Sequence, residues 1–215
     1  MLLGLVFFAI PVIGAAQAMP PSVPSDGKLE FVVTRNGHAI GTHVYQFSHD
    51  GERVQVQIKT DIDFKLLFIP VYRFRHESKE IWDGDKLASL VSKTDDNGEP
   101  VRLEVKSSGS VLKVNGQEGA QTTDPKMVAP ASLWNVAAVR RQQLIDTIDG
   151  MLLAIKASFM GEEKVRIGDR DVPAVHYKIT GDYQRELWYD SKDGTLLRVR
   201  FTAEDGSEVE YVRNA

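Results

Sequence analysis

Cysteine is absent from the sequence, which excludes a disulfide framework, a thiol nucleophile, a thiolate metal site and lipid attachment through sulfur. Neither sign of charge dominates, since 26 Lys and Arg stand against 30 Asp and Glu, giving a formal net charge of −4. A broad electrostatic footprint for nucleic acid is therefore not expected. There is no GxxxxGK[ST] phosphate loop and no HExxH pair. Asp95-Asp96-Asn97-Gly98 has the composition of a calcium loop but lacks the alternating ligands and the closing glutamate, so it reads as a turn. No internal repeat stands out, and no cofactor or metal is implied.

Only one stretch is long and free of charged side chains. Residues 1–18, MLLGLVFFAIPVIGAAQA, end in small residues at Ala16 and Ala18, the pattern that a signal peptidase reads. Before Leu2 the amino terminus is the sole positive charge, so retention of the segment as an anchor is the alternative. Pro11 and Gly14 leave the run short of the roughly 20 apolar residues of a spanning helix. The expected organisation is a signal peptide over residues 1–18, a Pro-rich leader over 19–27 and one β-rich domain over 28–215. A periplasmic location follows, with no stable membrane span after cleavage.

The rest of the chain alternates with a period of two. Val54, Val56, Ile58, Thr60, Ile62, Phe64, Leu66 and Phe68 take every second position, with Arg53, Gln55, Gln57, Lys59, Asp61, Asp63 and Lys65 between them. A straight strand of that length would span roughly 50 Å at about 3.3 Å per residue, too long for the domain, so it must bend or break. Asn36-Gly37, Asp50-Gly51, Asp83-Gly84, Asn97-Gly98, Asn115-Gly116, Asp193-Gly194 and Asp205-Gly206 separate such runs and suit tight hairpins. The fold class expected is mainly β: a strongly curved antiparallel meander, a half-barrel or open barrel, with one short helix packed against it. Residues 130–141 are the expected helix, capped by Ser132 and ending in Arg140 and Arg141, with Leu133, Val136, Ala137 and Arg140 on one face. Strands are expected again between Gln142 and Met160.

The candidate site lies in residues 69–87, IPVYRFRHESKEIWDGDKL. On a continuous strand Tyr72, Phe74, His76, Ser78, Glu80 and Trp82 share one face, while Arg73, Arg75, Glu77 and Lys79 share the other, solvated one. His76 and Glu80 are about 13 Å apart on such a strand, so they form no dyad without a partner from another strand. A Ser/His/Glu triad with Ser78 lacks a nucleophile elbow and an oxyanion hole. A hydrogen-bonded polar cluster in an aromatic wall, or ligand contact by the same residues, fits better. His43 alternates with Tyr45 and Phe47 and reads as a hydrogen-bonded core histidine. His38 reaches the same face only if a bulge forms near Gly41. His49 and His176 are expected to be exposed. Asp61 and Asp63 belong to a polar stripe.

Five segments, "YRFRHESKEIWDGDKL", "TDDNG", "PASLWN", "TIDG" and "VHYKITGDYQRELWYDSKDGTLLRVRF", occur in an order that resembles an uncharacterised family of exported Gram-negative bacterial proteins of unknown function. The resemblance implies export but assigns no activity and no site residue. In architecture the chain is similar, more distantly, to the periplasmic half-barrel lipoprotein carriers, whose curved sheet wraps a helix. Two functions follow as expectations. The first is a non-catalytic binding module whose concave face, with Tyr72, Phe74, His76, Glu80, Trp82 and Trp134, holds an apolar small molecule or a lipidated protein. The second is a structural envelope component with a self-filled core that binds a protein partner. A hydrolase using His76 and Glu80 is a third reading.

Overall fold

The computed structural model describes residues 23–66 and 69–214. The export segment 1–18, the first part of the leader and Phe68 lie outside the described residues. Two series of strands follow one another. The first is β1 (Lys28–Arg35), β2 (His38–Asp50), β3 (Arg53–Leu66), β4 (Ile69–Asp83), β5 (Lys86–Asp96), β6 (Glu99–Ser108), β7 (Val111–Gly116) and β8 (Gly119–Thr123). The second is β9 (Val128–Pro130), β10 (Gln143–Ile145), β11 (Leu152–Ile167), β12 (Arg170–Gly181), β13 (Arg185–Asp190), β14 (Leu196–Thr202) and β15 (Glu208–Arg213).

Each series pairs neighbour to neighbour, and β1 pairs with β15, so the two join into one sheet of 15 strands. The result is a nearly closed barrel whose seam lies between β8 and β9. Every pairing is antiparallel except the short β9–β10 contact. All seven turn pairs read from the sequence fall at strand connections. At Asn36-Gly37 and Asn97-Gly98 both residues have positive φ, at 47° and 79° and at 53° and 99°, the geometry that matches a hairpin turn to the twist of its strands.

The long β3 neither breaks nor runs straight. Curvature comes from bulges, where one strand carries an extra residue: Ile40 in β2, Val71 in β4, Ala88 in β5, Met160 in β11 and Leu197 in β14. Each adds twist and turns the following residues to the other face. Gly41 beside the first bulge lets β2 and β3 approach closely, because a Cβ there would collide with the Asp61 carbonyl.

Inside the barrel, Phe31, Val33, Tyr45, Val56, Leu90, Val105, Val114, Leu187 and Tyr189 are fully or almost fully buried. The short helix expected over residues 130–141 is present but reduced in extent, and its type and cap are corrected. Only Val136–Arg140 is helical, as a 3-10 turn, and its cap is Asn135, whose side chain accepts from the Ala137 amide at 2.9 Å, not Ser132. The residues before it are spent otherwise. Ala131 donates to the Ile145 carbonyl at 2.9 Å, and Leu133 turns through φ 62°, which no α-helix tolerates. The segment from β9 to Gly150 thus enters the barrel as an irregular plug.

Wall hydroxyls and a wall serine grip its backbone: Tyr45 donates to the Ser132 carbonyl at 2.6 Å, Tyr189 to Leu133 at 2.8 Å and Ser92 to Thr147 at 2.6 Å. Trp134, at the centre, is fully buried.

A second, small cluster of Val165, Ile167, Ala174, Trp188 and Leu197 lies apart from this interior. His176 belongs beside it, which overturns the expected exposure: its ring stacks on Trp188 at 4.3 Å and 13°, with Glu163 3.0 Å from Nδ1. His49 is exposed. Asp61 and Asp63 both pair with Arg75, at 2.9 and 2.5 Å.

Candidate functional site

Strand β4 separates its side chains as its sequence requires. His76, Ser78, Glu80 and Trp82 are buried, Tyr72 and Phe74 are half-buried, and Arg73, Glu77 and Lys79 are exposed. The structure nevertheless splits these residues between two places.

Glu80 belongs to the packed core. Its Oε2 accepts from Trp82 Nε1 at 2.8 Å and from Trp134 Nε1 at 2.9 Å, while Oε1 has no partner of hydrogen-bonding geometry. Burial raises its pKa; the Ser132 side chain and the two indoles oppose that without reversing it. Trp82 and Trp134 meet edge to face with ring centroids 5.7 Å apart. This corner is filled by its own side chains.

Phe74, His76 and Ser78 line the other place, an interior cavity of about 150 Å³ between the barrel wall and the plug. Its base is buried: His43 and Tyr45 of β2, Ile58 and Thr60 of β3, His76 and Ser78 of β4, with Leu133 of the plug. Half-buried Phe74, Asp146, Tyr183, Arg185, Phe201 and Tyr211 form its rim.

Two histidines face this space, each fixed by a threonine on the next strand. His43 Nδ1 lies 2.6 Å from Thr60 Oγ1, and His76 Nδ1 lies 2.8 Å from Thr94 Oγ1. Desolvation pushes His43 down to about 3, with a contribution from His76, and pushes His76 down to about 4. Both rings are neutral at pH 7. His43 Nε2 and Ser78 Oγ are buried and no protein group hydrogen-bonds them.

At the rim, the Arg185 guanidinium lies 4.2 Å from the Tyr183 ring centroid and 3.7 Å from that of Phe201. Asp146 accepts from the Ile148 amide at 2.7 Å within its own turn, and burial raises its pKa. Burial also pushes Tyr211 up to about 12.

His76, Ser78 and Glu80 make no hydrogen bond to one another, so the residues of a triad are present without its connections. The bulge foreseen near Gly41 falls at Ile40, yet His38 stays exposed while His43 is buried. Among the described residues no group of three or more metal-ligating side chains converges. A larger depression of about 720 Å³ on the outer surface is bordered by Lys28, Lys59, Glu77, Lys79 and Lys93. Those side chains are exposed and solvated, and it encloses nothing.

Sequence reasoning missed the partners of β4. The signal was present in the hairpins. The Gly51 turn pairs Asp50 with Arg53, and counting back along both strands sets His43 against Thr60. Thr60 in turn faces His76. Tyr183, Arg185 and Asp146 gave no local sign, because the plug and the β1–β15 closure bring them in.

Fold and cavity together define a nearly closed meander β-barrel, joined through its terminal strands and plugged from within, that keeps a small polar-lined space. The chain belongs to the family described as a domain of unknown function, DUF6134, whose signature matches residues 31–214. A search of curated proteins found no match.

Proposed function

We propose that the protein is an exported, non-catalytic binding module that holds one small ligand in the interior cavity. The observation that carries this reading is the pair of buried, unpartnered polar atoms on the cavity lining, His43 Nε2 and Ser78 Oγ. Leaving such a group unsatisfied costs about 1–3 kcal/mol, so each favours a partner that enters the space. A volume of about 150 Å³ suits a body the size of benzene. It is well under the roughly 300–1,000 Å³ of drug-sized sites, which favours a small molecule over an acyl chain or a lipid-bearing client. Export and a periplasmic location rest on residues 1–18 and on the resemblance to exported envelope proteins.

The test is native mass spectrometry of the full chain, purified without denaturation from the envelope fraction of bacteria expressing it. A bound small-molecule mass is expected, and Ser78→Leu, which fills the cavity base, should lose it. A protein that carries no such mass, or carries it equally in both forms, would sink the reading.

A second reading, an envelope component that binds a protein partner, draws on the seam. β8 and β9 end the sheet, each hydrogen-bonded to a single neighbouring strand, and such edges accept an added strand. A stoichiometric protein partner in the same extract would favour it.

A further inference from the structure

The cavity rim carries a guanidinium whose donors are largely uncommitted. Arg185 rises from the first position of β13 and lies against Tyr183 and Phe201, both of which also line the cavity. It donates from Nη1 to the neighbouring Gln184 carbonyl at 2.7 Å and also interacts with the Tyr183 hydroxyl. No carboxylate among the described residues lies within ion-pair distance of it, although most other arginines on the barrel have such a partner: Arg53 with Asp83, Arg73 with Asp95, Arg75 with Asp61 and Asp63, Arg200 with Glu186. The planar guanidinium is thus held by aromatic faces with donors to spare, the arrangement that recognises a carboxylate with two parallel hydrogen bonds.

Asp146 is the acid nearest in role, and it shares the rim. Its carboxylate accepts from the Ile148 amide of its own turn; burial raises its pKa, while that hydrogen bond and the charge of Arg185 act the other way. His43 and His76, on the base, are neutral at pH 7. A guest therefore meets the Arg185 guanidinium at the mouth with Asp146 on the same rim, an apolar and aromatic sleeve of Ile58, Phe74, Val199 and Phe201, and two hydrogen-bonding atoms at the bottom.

Resting on the binding reading above, we infer that the ligand is a small organic monoanion. Its carboxylate sits on Arg185, its compact apolar body fills the sleeve, and a polar substituent at the far end meets His43 Nε2 and Ser78 Oγ. Because His43 Nδ1 is already engaged by Thr60, its neutral ring presents a single hydrogen-bonding role at Nε2. That favours a substituent such as a hydroxyl, which can serve as donor or acceptor.

Isothermal titration of the full chain at pH 7.5 tests this with three probes of one shape: sodium benzoate, benzyl alcohol and benzylamine. Benzoate is expected to bind at least tenfold tighter than benzyl alcohol, with benzylamine weakest. Arg185→Gln should bring benzoate and benzyl alcohol within about twofold of each other, and Arg185→Lys, which keeps the charge without the fork, should retain part of the preference. If benzyl alcohol matches benzoate and Arg185→Gln changes neither, the anion assignment is wrong while the cavity reading stands. If none of the three binds, both fall.

Discussion

Trp82 and Trp134 donate their indole N–H groups to the same carboxylate oxygen, Glu80 Oε2, from 54 residues apart in sequence in the case of Trp134. One belongs to the wall and the other to the plug, so the carboxyl joins the two layers of the barrel where both are fully packed. Among the described residues no cation pairs with it: its hydrogen-bonding partners are the two indoles, with Ser132 nearby.

That arrangement fixes a pH dependence. Glu80 has its folded pKa raised above the ordinary 4.5. The folded chain then holds a proton that the unfolded chain releases, so the group's contribution is fully present below pH 4.5 and is lost as pH rises through the folded value. Glu80→Gln keeps a carbonyl for both indoles and carries no charge. It should gain stability over the parent progressively above pH 4.5, by about 1–3 kcal/mol at neutral pH. Urea denaturation at pH 4 and pH 7 measures the difference; a constant gap between the two proteins would refute it. Trp134→Phe removes one donor and the fit of the ring, and should destabilise at both pH values.

The two histidines act with the opposite sign. Their folded pKa values, about 3 for His43 and about 4 for His76, lie below the ordinary 6.5. Their contribution is present above pH 6.5 and is lost as pH falls toward the folded values, because the unfolded chain takes up protons that the barrel excludes. Each can add up to about 1.4 kcal/mol per pH unit to the slope in that window. Replacing both by Gln should flatten the decline in thermal midpoint between pH 6.5 and 4.5, whatever the cost at neutral pH. An unchanged slope would mean that neither ring is shielded from protons.

The plug is held through its backbone. Tyr45→Phe and Tyr189→Phe each remove a hydroxyl and leave a plug carbonyl, at Ser132 or Leu133, without its donor. The expected cost is about 1–3 kcal/mol each. Hydrogen exchange should show where it falls. Amides of the plug, such as those of Ala131 and Ala138, should exchange faster, while those of the β6–β7 ladder, which neither hydroxyl touches, should not. Uniform acceleration would show instead that the hydroxyls support the barrel as a whole.

How much of this was legible depends on the range of the signal. The period of two and the turn pairs are local, and they yielded the meander, the inward face of β4 and the buried state of His43. Curvature was inferred from length, but its agents were not. Ile40, Val71 and Met160 look like ordinary strand residues, and a bulge is a property of pairing with a neighbour. The stretch at 130–141 misled because Ser132 and the run that follows satisfy helix rules locally, while Tyr45, Tyr189 and Ile145 claim its backbone from a distance. Trp82 and His76 share the buried face of β4, whereas Trp134 meets that face from the plug. The plug fills the end with Trp82 and leaves open the end with His76, and nothing within β4 distinguishes them.

Gly41 offers the sharpest check on how the bulge positions the cavity. Any Cβ at this position meets the Asp61 backbone across the β2–β3 pair, and that carbonyl lies one residue from Thr60, which fixes the His43 ring. Gly41→Ala must push the two strands apart just below the cavity base. Relief by backbone movement in a packed sheet costs about 1–3 kcal/mol. The displacement should also lengthen the His43–Thr60 contact and admit water. The imidazole of His43, followed by NMR, should then titrate well above its value of about 3. The same shift would weaken any guest resting on His43 Nε2 more than one held at Arg185 alone. A stable Gly41→Ala protein with an unchanged His43 titration would show that the close approach is incidental, and that the cavity base owes its shape to the plug.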